Sequence, residues 1–322
     1  MEGSMSSSSV TYNYKDPLNL LASIIMIVNG IFGSVCNLSI VYIFMYVPKE
    51  KTSFNLICVF RSLGNTIILL WGFIATFVPI TLTGQSQFWK PYETVVIISC
   101  NNIYMVIQYS GVFIAVNRFC ALFLPIVYKK LFHIKTTFIL TMIIIALKLI
   151  DNLNYLITFL PIECFTFYSS NNLAWVPNIQ SHCHIDDNVP NPFNSTAFVL
   201  IVIIFINVAN FIRIRMFYKS TETEVAEKKR KMKKNTVLFG QTLFQDCIML
   251  FDMLFTFKLA GISKERYWTF FSGTLVWELV HSLDGFVMVM FNERLSFLKN
   301  KMFHPSNDVS HTQVIKVVSA RY

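Results

Sequence analysis

Charge is what this chain has least of. Asp, Glu, Lys and Arg supply 14% of its 322 residues, against about 25% in a soluble domain. A soluble chain of this length needs a wetted surface that so few charges do not provide. Glycine and proline are also sparse, at 11 and 10 residues, which excludes collagen-like and low-complexity readings. No solenoid-type repeat recurs. There is no His-Glu-x-x-His, no Gly-x-Ser-x-Gly and no phosphate-binding glycine loop, so no enzyme is indicated. Asp246 and Asp284 as a catalytic pair would need matched environments that the surrounding residues do not specify. Residues 1–15 are polar and lack the apolar core of a signal peptide. The first long apolar run is therefore expected both to start insertion and to stay in the membrane. No cofactor, metal or nucleic-acid partner is expected.

What is present is apolar: 54% of the chain is hydrophobic, with 31 Phe. A membrane helix needs about 20 predominantly apolar residues. Seven windows qualify: Leu20–Tyr46, Phe54–Leu82, Tyr92–Leu124, Thr136–Leu160, Thr196–Phe217, Thr236–Leu259 and Trp268–Phe291. The weakest carry charge: Arg61 in the second, Lys148 and Asp151 in the fourth, Asp246 and Asp252 in the sixth. Tyr46, Trp89, Tyr92, Tyr218, Tyr267 and Trp268 stand near window ends, where interfacial aromatics belong. The expected fold is an all-α membrane protein, a bundle of seven transmembrane helices.

The net charge of +9 is distributed by side. With the N-terminus outside, 20 of the 27 basic residues fall in inner loops and tail, including the run Lys228, Lys229, Arg230, Lys231, Lys233 and Lys234. Only Lys15, Lys90, Lys258, Lys264 and Arg266 fall outside. The positive-inside rule then gives an outside N-terminus and a cytoplasmic C-terminus. The expected division is an outer segment 1–19, a membrane domain 20–303 and a polar, disordered tail 304–322 whose Ser306, Ser310 and Thr312 are phosphosite candidates. Within 292–303, Leu295, Leu298 and Met302 share one stripe beside Arg294 and Lys301. That pattern fits an amphipathic helix on the inner membrane surface, and the basic run fits anionic lipid.

The loop 161–195 has neither Lys nor Arg. It contains Cys164, Cys183 and the sequon Asn194-Ser195-Thr196. Outside the cell a Cys164–Cys183 disulfide is expected to persist. Two free thiols, a bridge from Cys183 to Cys100, and metal ligation by His182-Cys183-His184 are the alternatives. Asn194 is a glycan acceptor placed close to the membrane. Asn37 also heads a sequon but lies within the first window, so it stays unmodified.

Arg118 ends the third window in Asn117-Arg118-Phe119, with Pro125 seven and Tyr128 ten residues later. This resembles the aspartate-arginine-tyrosine region of rhodopsin-like receptors. Asn37 with Gly30 and Gly33 resembles their first-span asparagine. Asp284-Gly285-Phe286-Val287-Met288 followed by Asn292 resembles a degenerate seventh-span asparagine-proline-x-x-tyrosine motif. The departures are Asn117 in place of the acidic residue, and fifth and sixth spans without proline. Ser53 to Cys58 with Arg61, Asn117 to Ala121, Gln245-Asp246, His281 to Gly285 and Phe291-Asn292 are similar to the nematode serpentine chemoreceptors, closest to the Srx class. The resemblance runs from about Leu20 to Phe303. It implies a sensory receptor of the plasma membrane, in neuronal cilia, that detects a small chemical and signals to a heterotrimeric G protein. A seven-span ligand-gated channel or transporter is the alternative; it would leave the Arg118 to Tyr128 pattern unexplained and lacks the repeats of such folds. A retinal photoreceptor is excluded, because the seventh window has no lysine for a Schiff base.

Charged groups within a membrane cost about 3 kcal/mol each and are functional hypotheses by default. Arg118, with Asn117, Phe119, Pro125 and Tyr128, is the expected G-protein face, against the plainer reading of Arg118 as a positive-inside anchor. Arg61 either pairs with Asp246 or Asp284, or snorkels to the inner surface. Lys148 and Asp151 are three apart on one helix face and neutralise each other. Asn37, Asn65, Asp246 and Asp284 are expected to form a buried polar network. Asn101, Tyr104, Gln108, Trp277, Glu278 and His281 are expected around a ligand pocket in the outer half of the bundle.

Overall fold

The computed structural model describes residues 16–177, 183, 192–220 and 226–292. Its long helices are α1 (Pro17–Tyr46), α2 (Ser53–Thr83) and α3 (Lys90–Phe123). A short α4 (Pro125–Leu131) and α5 (Ile134–Phe159) follow, then α6 (Pro192–Ser220), α7 (Ala226–Leu254) and α8 (Arg266–Phe291). Among the described residues, five segments are long and apolar enough to cross a membrane: α1, α2, α3, Thr196–Met216 of α6, and α8. The α4–α5 pair, bent by 69°, makes a sixth when taken as one span. The remaining expected window, Thr236–Leu259, is helical through α7 and a π-helical extension to Leu259. Its apolar run is interrupted by Gln241, Gln245 and Asp252, which are buried against the other helices. The amphipathic helix and tail expected after Asn292 lie outside the described residues, as do residues 1–15, His182, His184 and the side chains of Asn194 and the basic run at 228–234.

The helices close in a ring. α1 packs on α2 and α8, α2 on α3, α3 on α6, α6 on α7, and α7 on α8, while α5 lies outside against α2 and α3. One face of α1 stays exposed along its whole length, through Leu20, Ile24, Val28, Ile31, Val35, Tyr42 and Met45. The spacing of three and four residues makes this one helical stripe. Phe198, Ile201, Phe205, Ile212 and Met216 do the same on α6. Apolar surface on this scale has no place in water and fits a hydrocarbon solvent.

Two close approaches set the α1–α8 spacing. A Cβ on Gly33 would lie 2.5 Å from Ser282 Cβ, and one on Gly285 would lie 2.5 Å from Asn37 Nδ2. Gly33 lets α1 meet the Ser282 backbone of α8, and Gly285 leaves room for the Asn37 side chain, approaches that a Cβ at either position would block. π-helical turns interrupt α2 at Ile68–Phe77 and α8 at Phe270–Leu275, rotating the residues beyond them relative to a regular helix.

The all-α expectation needs one correction. The loop after α5 folds into a hairpin, β1 (Thr166–Ser169) and β2 (Ala174–Pro177), in antiparallel register from Thr166 against Pro177 to Ser169 against Ala174. A lone hairpin is marginal in water, and this one is held by the helix ends. Thr94 Oγ1 accepts from Thr166 N at 3.1 Å and donates to Thr166 O at 3.0 Å. Glu93 Oε2 accepts from Tyr168 N at 3.0 Å. The start of α3 thus serves as the second edge partner of β1. Tyr168 stacks on Phe77 at 4.6 Å, and Trp175 on Trp277 at 4.9 Å. Leu173, fully buried, takes φ +52°, a conformation costing about 1–2 kcal/mol for a residue with a Cβ. Its carbonyl accepts from Thr274 Oγ1 at 2.6 Å. Cys164 and Cys183 are joined in a disulfide, which removes Cys183 from metal ligation, and Cys100 stays a buried free thiol.

Arg266 ties the same end together. It donates to Asp16, to Asn19 Oδ1 at 2.7 Å and to Ser170 O at 3.1 Å. Its hydrogen bond holds the Asp16 carboxyl below its ordinary 3.8. The clamp is therefore complete at neutral pH and is lost only as pH falls through that lowered value.

Gly33→Ala is expected to lower stability by about 1–3 kcal/mol through overpacking, read as a lower melting temperature in detergent. Gly261→Ala is the control, because nothing lies within 4 Å of its added Cβ; an equal effect of the two would refute the close-approach argument.

Candidate functional site

The centre of the bundle is organised by one carboxylate. Asp284, on α8, has a side chain 2% exposed, and Arg61, on α2, one 3% exposed. Arg61 Nε donates to Asp284 Oδ2 and its Nη2 to Oδ1, both at 2.7 Å. Asn65, one turn along α2, donates to Oδ2 at 2.6 Å. Gln245 of α7 donates to Oδ1 at 2.8 Å. Two oxygens thus receive four N–H groups from two other helices, which is the satisfaction a buried charge requires. Arg61 does not snorkel; of its two expected partners it takes Asp284.

The network continues to α1. Asn65 Nδ2 also lies 3.2 Å from Asn37 Oδ1. Asn37 Nδ2 donates to Gly33 O at 2.9 Å and to His281 O at 3.0 Å. Because the Asn65 amide nitrogen faces Asp284, its oxygen faces His281, whose Nδ1 is 2.8 Å away. His281 Nδ1 must then carry the proton. Its Nε2 is left buried without a partner. Of the expected network, Asn37, Asn65 and Asp284 come together; Gln245 joins them, and so does His281, which was expected at the ligand pocket. Asp246 does not join them. Its Oδ2 accepts from Asn207 of α6 at 2.5 Å, because one residue along a helix turns a side chain by about 100° and Gln245 holds the inward position.

The expected pocket residues are partly assembled. Tyr104 lies edge-on to His281 at 5.7 Å, as does Trp277. Tyr104 donates to Asp252 Oδ2 at 2.6 Å. Gln108 is buried beside Tyr104. Glu278 turns away toward α1, where its Oε1 would lie 3.3 Å from a Cβ on Gly30 and its carboxyl faces Asn29. Asn101 is half-buried and has no hydrogen bond to the others. The space above Trp277 is occupied by Trp175 of the hairpin.

At the opposite end of the bundle from the hairpin, Arg118 is 9% exposed and carries a second buried guanidinium. Its Cζ lies 4.8 Å from the centroid of the Phe54 ring. Its Nε and Nη2, like Asn117 Nδ2, have no hydrogen-bond partner. Among the described residues no carboxylate pairs with it. Arg118, Asn117 and Tyr128 line a cavity of about 100 Å³ with Asn210, Ile214, Leu238 and Phe239. A larger one of about 380 Å³ adjoins it through the shared walls Phe54, Tyr128 and Leu238. Pro125 opens α4, which carries Tyr128. Phe119 stacks on Phe123 at 4.5 Å and does not line either cavity. Lys148 and Asp151 form the expected pair at 2.7 Å on the outer face of α5.

Removing one partner of a buried ion pair costs about 3–5 kcal/mol, whereas replacing both is often neutral. Arg61→Met alone and Asp284→Met alone are expected to lower folded yield and melting temperature. Arg61→Met with Asp284→Met should recover a large part of the loss. Strict additivity in this double-mutant cycle would show that the pair is not coupled.

The sequence is similar to known proteins. A family model described as "Serpentine type 7TM GPCR chemoreceptor Srx" matches residues 27–292, which include every residue of the Asp284 network and of the Arg118 cavity. Serpentine receptor class X 45 of Caenorhabditis elegans is 20% identical to this chain over 328 aligned positions, covering 94% of this chain and 86% of that protein. The length of the match, together with the apolar helical ring and the buried charges at its two levels, means that this chain belongs to the Srx family of serpentine seven-transmembrane G-protein-coupled chemoreceptors.

Proposed function

We propose that the chain is a plasma-membrane chemosensory receptor that binds a small environmental chemical and signals to a heterotrimeric G protein. The positive-inside bias supports an orientation with the hairpin and Arg266 outside and Arg118 toward the cytoplasm. Family membership supports a sensory role, and sensory-neuron cilia are the site it suggests. The observation that carries the reading is Arg118, a buried guanidinium next to open space with no carboxylate to hold it among the described residues.

The mechanism is a biased two-state equilibrium. In the resting arrangement Arg118 rests on the Phe54 ring and leaves part of its donor capacity unused. In the signalling arrangement the Arg118 and Tyr128 cavities widen and accept the G protein, and the guanidinium gains the partners it lacks. The ligand acts in the outer half, on the group formed by Tyr104, Gln108, Trp277 and His281. His281 touches both Trp277 and Asn65, so a shift there reaches the Asp284 network and the rotations of α2, α7 and α8 that it fixes.

G-protein activation on membranes expressing wild type and Arg118→Ala tests the reading. A ligand response present in the wild type and lost in the variant, at equal surface expression, is the expected result. Retention of the response in Arg118→Ala removes Arg118 from the output side, and an ion flux without any G protein overturns the receptor reading. Asn117→Asp supplies the missing carboxylate. A charge-assisted hydrogen bond is worth about 1.5–3 kcal/mol, so ligand-free activity should fall about tenfold or more; unchanged basal activity would show that Asn117 does not set the resting state.

A further inference from the structure

α6 and α7 part over a groove of about 340 Å³, within the roughly 300–1,000 Å³ typical of small-molecule sites. Ile204, Val208 and Phe211 form one wall, at helical spacing, and Leu243, Cys247 and Leu250 the other. Phe239 lies against Phe211 at 5.7 Å and closes one end. Ile204, Val208, Phe211 and Leu243 are each more than two-fifths exposed, so the groove opens on the outer, lipid-facing surface of the bundle.

Its floor is polar. Asn207 and Asp246 line it and are bonded to each other, Asn207 Nδ2 donating to Asp246 Oδ2. Asn207 is 4% exposed, and its Oδ1 is buried with no hydrogen-bond partner. A carboxamide oxygen in an apolar surrounding costs free energy until a donor reaches it. Lipid tails can fill the groove but have no donor to offer.

We propose that the groove between α6 and α7 is a binding site, entered from the bilayer, for a small apolar molecule that carries a hydroxyl or amine hydrogen-bond donor. The apolar body lies between the Val208 and Leu243 walls, and the donor meets Asn207 Oδ1 beside Asp246. The site names a compound class for the receptor reading and rests on that reading only for the consequence of occupancy, not for binding itself.

The protein carries its own reporter. Of its seven cysteines, Cys164 and Cys183 are disulfide-bonded, Cys36, Cys58, Cys100 and Cys120 are buried, and Cys247 alone is exposed, in the groove wall. The rate at which N-ethylmaleimide adds one label to the full chain in lipid nanodiscs, followed by intact mass, therefore reads occupancy. Octanol should slow labelling, and octyl methyl ether, with its hydroxyl hydrogen capped, should protect about tenfold less well. Asn207→Leu should lose the octanol protection and Asn207→Gln, which keeps the acceptor, should retain it. Should Asn207→Leu fail to fold, the alcohol against ether comparison on the wild type decides alone. Equal protection by alcohol and ether, no protection by either, or protection undiminished in Asn207→Leu each overturns the proposal. Protection without any G-protein response would keep this site and separate it from signalling; a response to octanol without protection would keep the receptor reading and overturn the site.

Discussion

Asp284 is a carboxylate placed where water does not reach, and four N–H groups from α2 and α7 converge on its two oxygens. Isolated in the bundle it would cost several kcal/mol, so the helices bearing Arg61, Asn65 and Gln245 have little freedom to rotate. The constraint spreads outward. Asn65 turns its oxygen to His281, Asn37 bonds the backbone of both its own helix and α8, and Gly285 leaves room for it. With α8 fixed in rotation, Trp277 faces the hairpin and gives Trp175 a partner. The fold of the loop and the docking of α1 thus depend on one buried charge pair.

Arg118 shows the opposite treatment of the same chemical group. Arg61 spends its donors on a carboxylate; Arg118 has an aromatic face and, next to it, Asn117 with an idle amide nitrogen. A cation over an aromatic ring is worth about 0.5–2 kcal/mol, less than a carboxylate would supply. A protein that gives one buried guanidinium a bidentate carboxylate has the means to give another the same. The unmatched one stands at the end where the cavities open, which makes it the group whose energy can change most when the bundle rearranges. In the proposed mechanism that asymmetry is the source of the switch.

The helices were legible because hydropathy reports depth, and depth in a hydrocarbon slab demands helix. The segments expected at Leu20–Tyr46 and Trp268–Phe291 differ from α1 and α8 by a few residues at one end. What hydropathy does not report is rotation about the helix axis. Gln245 and Asp246 are adjacent, and the choice between them for the Asp284 network depends on an azimuth set by packing. The same holds for Glu278 and His281, expected on one pocket and found facing α1 and the Asp284 network. Arg61 was ambiguous for another reason: two carboxylates lay within reach, and only the placement of α7 and α8 against α2 selects between them. The hairpin was missed because loop 161–195 was read for cysteines and charge. Its β-formers Thr166-Phe167-Tyr168 and Trp175-Val176, on either side of Asn171-Asn172, are a strand and turn signal.

The two places where a ligand is proposed to act differ in what can confer selectivity. In the outer half, a molecule arriving from water gains about 0.8 kcal/mol for each buried methylene, but it must displace stacked rings such as Trp175 on Trp277, worth about 0.5–1.5 kcal/mol beyond their burial. In the groove between α6 and α7, a molecule arriving from the bilayer has already left water, and exchanging lipid tails for Val208 and Leu243 changes little. Its apolar body therefore sets access and not affinity. Discrimination there must come from the polar floor, where a donor gains a bond to Asn207 Oδ1 that hydrocarbon cannot make. A groove of this kind selects for functional group and is tolerant of chain shape, whereas the aromatic-walled outer half selects for shape.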